Sequence, residues 1–376
     1  MNADILSVVL KKPLFSGVTQ KELAQQIEAR RKSKTKLPTW FNTPKIYYPK
    51  KLHIEQTSSE TTARYKAHLV SGKCLLDLTG GLGIDTYYFS KKVDEVYHCE
   101  WDQELHEIAT YNFGVLKAFN ITTFHTDGLL FLEDFNLKYD WIYLDPARRD
   151  EHQNKVFRLS DCTPDITKHL NVLLNKSEHV LLKTAPLLDI SAGISDLKHV
   201  KEIHIVADHN EVKEVLWVLR RNEQGTAITI KTINIIHPGS ETFNFMLAEE
   251  GKVKSTYAAP QAYLYEPNAA IMKSGGFKSV GKAFGVSKLH EHSHLYTSEE
   301  PLRFPGRIFK IINTAAYNKK AIKSLSLSKA NITTRNFPHS VAEIRKRFKI
   351  SDGGNLYLFF TTDFNGELMV LVCEKC

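Results

Sequence analysis

The sequence predicts an α/β protein: a doubly wound, mainly parallel sheet in the middle of the chain, a helical amino-terminal extension, and small α+β units toward the carboxyl end. Three observations lead there. Short apolar runs alternate with amphipathic stretches between Lys73 and Thr184, the pattern of strands joined by right-handed helical crossovers. A glycine-rich turn directly follows the first of these runs, as at the ligand-binding edge of such sheets. From Arg307 onward the pattern reads strand, helix, strand, helix, strand, strand.

The chain's 376 residues exceed one small module and suit several cores, with expected boundaries at 1–50, 51–250, 251–302 and 303–376. Hydrophobic residues at 42% and charged residues at 24% exclude wholesale disorder. The longest apolar runs, ILSVVL from Ile5 and HVLLKTAPLLDI from His179, fall short of the ~18 residues a membrane span needs. With no secretory signal visible, a cytoplasmic location without membrane partners is expected. Five cysteines form neither a disulfide framework nor a zinc ribbon, and only Cys373 and Cys376 have CxxC spacing, so no metal is expected.

The net charge of +8 is unevenly placed. Residues 1–50 carry +7, residues 301–376 carry +8, and the 250 residues between carry −7. Two basic ends around an acidic middle suggest an anionic polymer gripped by the ends.

Residues 18–34 read as an amphipathic helix, with Thr19 and Glu22 in capping-box spacing and a basic end at Arg30, Arg31, Lys32, Lys34 and Lys36. Pro38, Pro44 and Pro49, with aromatic residues between them, read as an extended arm. Strands are expected at Cys74–Leu78, Glu95–Glu100, Ile121–His125, Trp141–Asp145 and Val180–Thr184, with a helix over Gln103–Phe119. After Pro186 come a helix, a strand at Glu202–Ala207, a helix near Glu211–Arg220, a β-prone run from Thr226 and a strand at Phe243–Ala248. A new unit begins near Ala259, and a second basic cluster, Arg345, Lys346, Arg347 and Lys349, sits on the last helix. His290, His292 and His294 alternate as on one face of a polar strand.

The most informative segment is LLDLTGGLGIDT, from Leu75 to Thr86. A strand ends at Asp77, and Gly80, Gly81 and Gly83 form a tight turn into a helix whose free N–H groups face outward. A pyrophosphate-binding loop would read GxGxxG, whereas this one begins with an acid, which suits a cation. Glu100, Asp127 and Asp145 follow at the ends of the next three strands. Four acids at the carboxyl ends of four successive strands line the crevice where doubly wound sheets bind ligands.

On these residues the chain resembles class I S-adenosylmethionine-dependent methyltransferases, with their Rossmann-like sheet, over roughly 50–235. The whole chain resembles bacterial methyltransferase-like proteins ending in a THUMP-like domain, on SSETTARYKA from Ser58, DPARRD from Asp145, YLYEPNAA from Tyr263, FPGR from Phe304 and KANITTRNFP from Lys329. The resemblance implies S-adenosylmethionine as cofactor. Asp77, Gly80, Gly81 and Gly83 would hold its amino-acid part, Glu100 its ribose and Asp127 its adenine, with Thr79, Asp85, Trp101 and Gly128 beside them. It also implies ferredoxin-like or THUMP-like α+β units and an RNA substrate, with ribosomal or transfer RNA the expected kinds. The segment Gln56–Lys66 is similar to the part of the family that closes over the cofactor; otherwise it is a plain helix capped by Ser58 or Ser59.

Amino-group methyltransferases acting on nucleic acid usually end this strand in Asp/Asn-Pro-Pro-aromatic. Here Asp145 and Pro146 stand, but Ala147 and Arg148 replace the rest and the stacking ring is missing; Tyr143, Tyr139 and Phe157 are candidates to supply one, and the sequence does not choose among them. The catalytic candidates are Asp145, Pro146, Arg148 and Lys183, the last equally able to pair with Asp145. Substrate-binding candidates are Arg149, Arg345, Lys346, Arg347 and Lys349. Cys162 is the single thiol near the strand, and is read as a buried cysteine at a helix start. Two rivals stand beside an RNA methyltransferase: an RNA-binding protein that keeps the fold without turnover, and a methyltransferase for protein or small molecules.

Overall fold

The computed structural model describes residues 5–9, 15, 17–135, 137–148, 158–222 and 227–376. They form two compact units, Met1–Ile203 with Lys213–Gly225, and His204–Val212 with Thr226–Cys376.

The first unit is built on β1 (Gly72–Asp77), β2 (Val93–Glu100), β3 (Ile121–His125), β4 (Tyr139–Leu144), β5 (Ser177–Thr184), β6 (Val200–Asp208, its last five residues belonging to the second unit) and β7 (Glu211–Arg220). The strand order is β3-β2-β1-β4-β5-β7-β6. Strands β1 to β5 pair in parallel and β7 runs antiparallel to β5. Leu75, Leu76, Ile142 and Leu144 at its centre are fully buried, as expected of a sheet covered on both faces. After a short helix at Ile5–Val9, the helices are α1 (Gln20–Lys36), α2 (Pro38–Asn42), α3 (Lys51–Gln56), α4 (Glu60–Ala67), α5 (Ile84–Phe89), α6 (Gln103–Val115), α7 (Gly128–Asp134), α8 (Ile166–Lys176) and α9 (Ile190–Asp196). Ser59, Asp102, Asp127, Asp165 and Asp189 start five of them, each side chain accepting from a backbone N–H of the first turn.

Four expectations change here. Residues 211–220 form a strand, not a helix: EVLWVL is buried without interruption, and an apolar run covered on both faces carries no period that separates strand from helix. The proline arm contains the short helix α2, because Pro38 occupies its first turn, where its missing N–H costs nothing. The arm is also anchored: Trp40 is 1% exposed, Tyr48 Oη donates to Trp40 O at 2.9 Å, and Asn112 exchanges two hydrogen bonds with the Tyr47 backbone. Helix α6 ends at Val115, since Lys117 turns left-handed at φ 56°, which leaves Phe119 83% exposed. Thr19 caps α1 as expected, but Glu22 accepts from Tyr47 Oη instead of closing a capping box.

The second unit opens with an antiparallel hairpin, β8 (Thr229–Ile236) and β9 (Gly239–Met246). There follow β10 (Tyr263–Pro267), α10 (Ala269–Ser274), α11 (Phe277–Phe284), β11 (Tyr296–Ser298), β12 (Gly306–Ala316), α12 (Lys319–Ser324), β13 (Asn331–Arg335), α13 (Val341–Phe348), β14 (Leu356–Thr362) and β15 (Leu368–Lys375). The sheet order is β11-β10-β12-β15-β14-β13, with the two-residue strand Ser287–Lys288 antiparallel outside β11 and only β13 and β14 parallel. The predicted strand and helix succession after Arg307 is thus present. Leu264, Phe309, Phe359 and Leu371 fill one face, and Ile344, Leu358, Phe360 and Val370 the other. His290, His292 and His294 do not share a strand face. They lie in a turn closed by Leu289 N donating to Leu295 O, with His294 at φ 53°.

Candidate cofactor and acceptor site

The predicted acids gather at the carboxyl edge of the first sheet. Asp77 ends β1 at 1% exposure, accepting from Thr79 N at 3.1 Å and from Thr86 Oγ1 at 2.6 Å. Burial pushes its carboxyl from 3.8 up to about 7, against those hydrogen bonds. Glu100 ends β2, one oxygen accepting from Gly81 N at 2.7 Å and the other from Asp102 N at 2.8 Å, so each keeps a lone pair for a further donor. Burial raises its carboxyl as well.

Asp127 caps α7 through one oxygen, 2.8 Å from Leu129 N. Gly128 lies against the Leu78 backbone so closely that a Cβ would sit 2.3 Å from its carbonyl oxygen. Trp101 is 75% exposed and lines a cavity of about 570 Å³ with Asp102, Gln103, Glu104, Glu107 and His125.

Two further bonds hold β1 and β4 in step: Leu78 N donates to Tyr143 O at 3.1 Å, and Asp145 N donates to Thr79 Oγ1 at 2.7 Å. Asp145 then pairs with Lys183 at the end of β5. Burial works against the lysine's charge, but Asp145, Glu214 and Asp85 together outweigh it and raise its pKa. A cavity of about 200 Å³ is lined by Asp77, Thr79, Gly80, Gly81, Asp85 and Asp145, among others. Beyond Asp145 and Pro146 a cavity of about 570 Å³ continues along Gln56, Arg158, Cys162, Lys183 and Lys213.

Asp85 faces the smaller cavity from a buried ionic cluster. It accepts from Ser58 Oγ at 2.8 Å and Tyr143 Oη at 2.7 Å, and lies 3.2 Å from Lys66 Nζ. Lys66 is fully buried and reaches Glu214 on β7 at 2.7 Å. Lys66 and Glu214 were missed from the sequence. Glu214 had no signal while its segment read as a helix, and nothing in SSETTARYKA singled out Lys66 from the rest of its helix.

Other candidates are placed differently. Tyr143 and Tyr139 are buried, Tyr143 edge-on to Phe89 at 4.9 Å, so neither ring is open for stacking, and Phe157 lies outside the described residues. The Arg148 backbone pairs with Cys162, and Arg149 is outside the described residues. Cys162 is half-buried and precedes Asp165, the actual cap of α8. On α13 the basic residues have different surroundings. Arg345 is occupied by Ala330 O, Ile350 O and Asp352, Arg347 packs over Tyr317 at 5.5 Å, and Lys346 and Lys349 are exposed. Among the described residues no group of three or more His, Cys, Asp or Glu could hold a metal, and no helix is long and apolar enough to cross a membrane.

The smaller cavity fits the cofactor the fold family implies. Its lining holds three aspartates and neither lysine nor arginine, which suits an ammonium or sulfonium group and not a pyrophosphate. At Gly81, φ +57°, a Cβ would point into open space with only Thr79 O near, at 3.9 Å, so a ligand can lie directly on the backbone.

Strand order, a glycine turn after β1 and acids on successive strand ends define a methyltransferase fold. A family model described as a ferredoxin-like domain matches residues 263–305, and one described as THUMP domain-like matches residues 306–375. Over 100% of its length the chain is similar to a Porphyromonas gingivalis W83 protein provisionally named a methyltransferase, at 33% identity, with 95% of that chain covered and a TM-score of 0.91. The chain belongs to this family of methyltransferase-fold proteins ending in a THUMP-like domain. It is also similar, at 17% identity and TM-score 0.36, to a provisionally named RNA methyltransferase, PH1948 from Pyrococcus horikoshii, over 51% of this chain and 96% of that one. M. capricolum TrmK bound to S-adenosyl-homocysteine gives 15%, TM-score 0.34, 43% and 69%. A comparison with curated proteins returns no match.

Proposed function

We propose that this protein is an S-adenosylmethionine-dependent methyltransferase whose acceptor is a nucleotide in structured RNA. The observation that carries the reading is the run of carboxylates Asp77, Glu100, Asp127 and Asp145 along the ends of β1 to β4 beside a glycine turn free of cations. Asp77 and the turn from Thr79 to Gly83 would hold the amino-acid head, Glu100 the ribose hydroxyls, and Asp127 with its neighbours Trp101 and Gly128 the adenine. The bound cofactor supplies an electrophilic methyl group. The chain supplies position: Asp145, held by Lys183 and by its backbone bond to Thr79, accepts a hydrogen bond from the target and turns its lone pair toward the smaller cavity. Pro146 and Lys183 would border the acceptor, entering from the larger cavity they line, and Arg148, next in sequence, is proposed to act with them. The THUMP-like domain and the basic carboxyl end support RNA as the partner.

Nucleoside mass spectra of RNA from cells with and without the protein test this directly: one methylated nucleoside disappears in the deletion, and unchanged spectra count against the reading. Ala147 in place of a stacking ring favours one rival, a protein that binds both ligands without turnover. Purified protein that binds S-adenosylmethionine and RNA but transfers no tritiated methyl would establish that rival.

A further inference from the structure

Three of the segments that carry the family resemblance meet at one carboxylate. Glu266 of YLYEPNAA is 3% exposed. One of its oxygens accepts from Arg307 of FPGR, through Nε and Nη2; the other accepts from Arg335 of KANITTRNFP, through Nε at 3.2 Å and Nη2 at 2.8 Å. Arg307 stands directly across from Glu266 in the β10–β12 ladder, and Arg335 arrives from the end of β13. Their side chains remain 36% and 35% exposed.

A buried carboxylate needs compensation, but one arginine would neutralise it; the second leaves a net positive charge at the surface. Each guanidinium turns its Nε and Nη2 edge to Glu266, so its Nη1 edge points away from that carboxylate. Two planar forks fixed on one anchor are pre-organised for a tetrahedral oxyanion, with little side-chain entropy left to lose. His294 is held down to about 4, first by burial and then by Lys288, Arg335 and His292, and its buried Nδ1 has no partner among the described residues. The sequence pointed instead to the basic helix α13, where Arg345 is already occupied within the fold.

We infer that Arg307 and Arg335, oriented by Glu266, form a phosphate-binding site that grips the backbone of the RNA substrate. This rests on the RNA reading above but not on methyl transfer. The test is binding of unfractionated bacterial transfer RNA to the full chain across a range of salt. Arg307→Met and Arg335→Met should each weaken binding about tenfold. Each should also flatten the slope of log affinity against log salt by about 0.7–0.9, one phosphate contact apiece. S-adenosylhomocysteine affinity should stay at the wild-type value. An unchanged slope in a folded variant, where the arginines serve only to bind Glu266, overturns the inference while leaving RNA binding intact. Wild-type binding that is weak and independent of salt would instead remove the RNA reading. Should either variant fail to fold, phenylglyoxal labelling of the wild type decides, read by peptide mass spectrometry. Transfer RNA should protect Arg307 and Arg335 from modification, and equal labelling with and without it refutes the site.

Discussion

Lys66 and Glu214 lie 148 residues apart in the chain and meet in the core of the first unit, Nζ to Oε2 at 2.7 Å, the lysine fully buried and the glutamate side chain 2% exposed. Asp85 lies 3.2 Å from the same ammonium. One cation thus serves two carboxylates, and they answer differently. Burial opposes charge on Asp85, but Lys66 and Lys183 outweigh it and hold that carboxyl below its ordinary range; at Glu214 burial prevails and raises it. The cluster joins α4, α5 and β7 behind the smaller cavity, so its integrity sets where Asp85 and Tyr143 stand.

Removing the shared cation should therefore be costly. Lys66→Met removes the one cation in contact with two buried carboxylates, leaving them only the longer-range charge of Lys183, and should destabilise the protein by about 3–5 kcal/mol in urea unfolding. Glu214→Gln keeps a hydrogen-bond acceptor and removes the less favoured charge, so its cost should be about 1–2 kcal/mol. Equal costs for the two would contradict this ordering.

Asp77 should make cofactor binding depend on pH. Its carboxyl titrates near 7 in the folded chain against an ordinary 3.8, so between those values the folded protein holds a proton that the unfolded chain has lost. Its contribution to stability is therefore present at low pH and lost as pH rises through about 7. A ligand ammonium group placed on Asp77 has the opposite preference, since it favours the ionised carboxylate. Calorimetric affinity for S-adenosylhomocysteine should fall as pH drops below about 7, approaching tenfold per unit. Asp77→Asn should remove that dependence, and a flat wild-type profile would rule out contact between Asp77 and the amino group.

Glu100 and Asp145 should separate binding from chemistry. Glu100→Ala removes the acceptor of the Gly81 and Asp102 N–H bonds and of the proposed ribose contacts, and should weaken cofactor binding by about 1–3 kcal/mol. Asp145→Ala should lower that affinity far less than Glu100→Ala does and abolish methyl transfer. Wild-type cofactor affinity in the Glu100 variant would reject the ribose assignment.

Much of the sheet was legible because its chemistry is local. Strands β1 to β4 each show an apolar run closed by or leading to an acid, and the crossovers carry their own capping residues at Asp102 and Asp127. Contacts between distant segments leave no such trace. Lys66 and Glu214 acquire meaning only once β7 lies beside β5, and Glu266 only once Arg307 and Arg335 converge on it. The aromatic residues after Pro38 misled for a related reason: composition shows a turn-rich arm but not that Trp40 has a core to enter. Charge patterning likewise counted Arg345 as a surface cation, although its guanidinium folds back onto Ala330 O and Ile350 O.

Gly306 should be the least replaceable residue of FPGR. It pairs with Pro267 at the start of β12 in a conformation, φ +152°, that side chains avoid, and a Cβ there would lie 2.1 Å from Glu266 O and 2.8 Å from Asn268 N. Those contacts are backbone atoms within the β10–β12 ladder, so they cannot swing aside as a flexible side chain would. Gly306→Ala must therefore push β12 away from β10, moving Arg307 off Glu266 and leaving a buried carboxylate short of one partner. The expected cost is about 2–3 kcal/mol from overpacking and strain together. Hydrogen exchange should rise in peptides covering residues 263–316 while β1 and β4 keep their wild-type protection. Wild-type exchange across 263–316 would show that the close approach is not needed to seat Arg307.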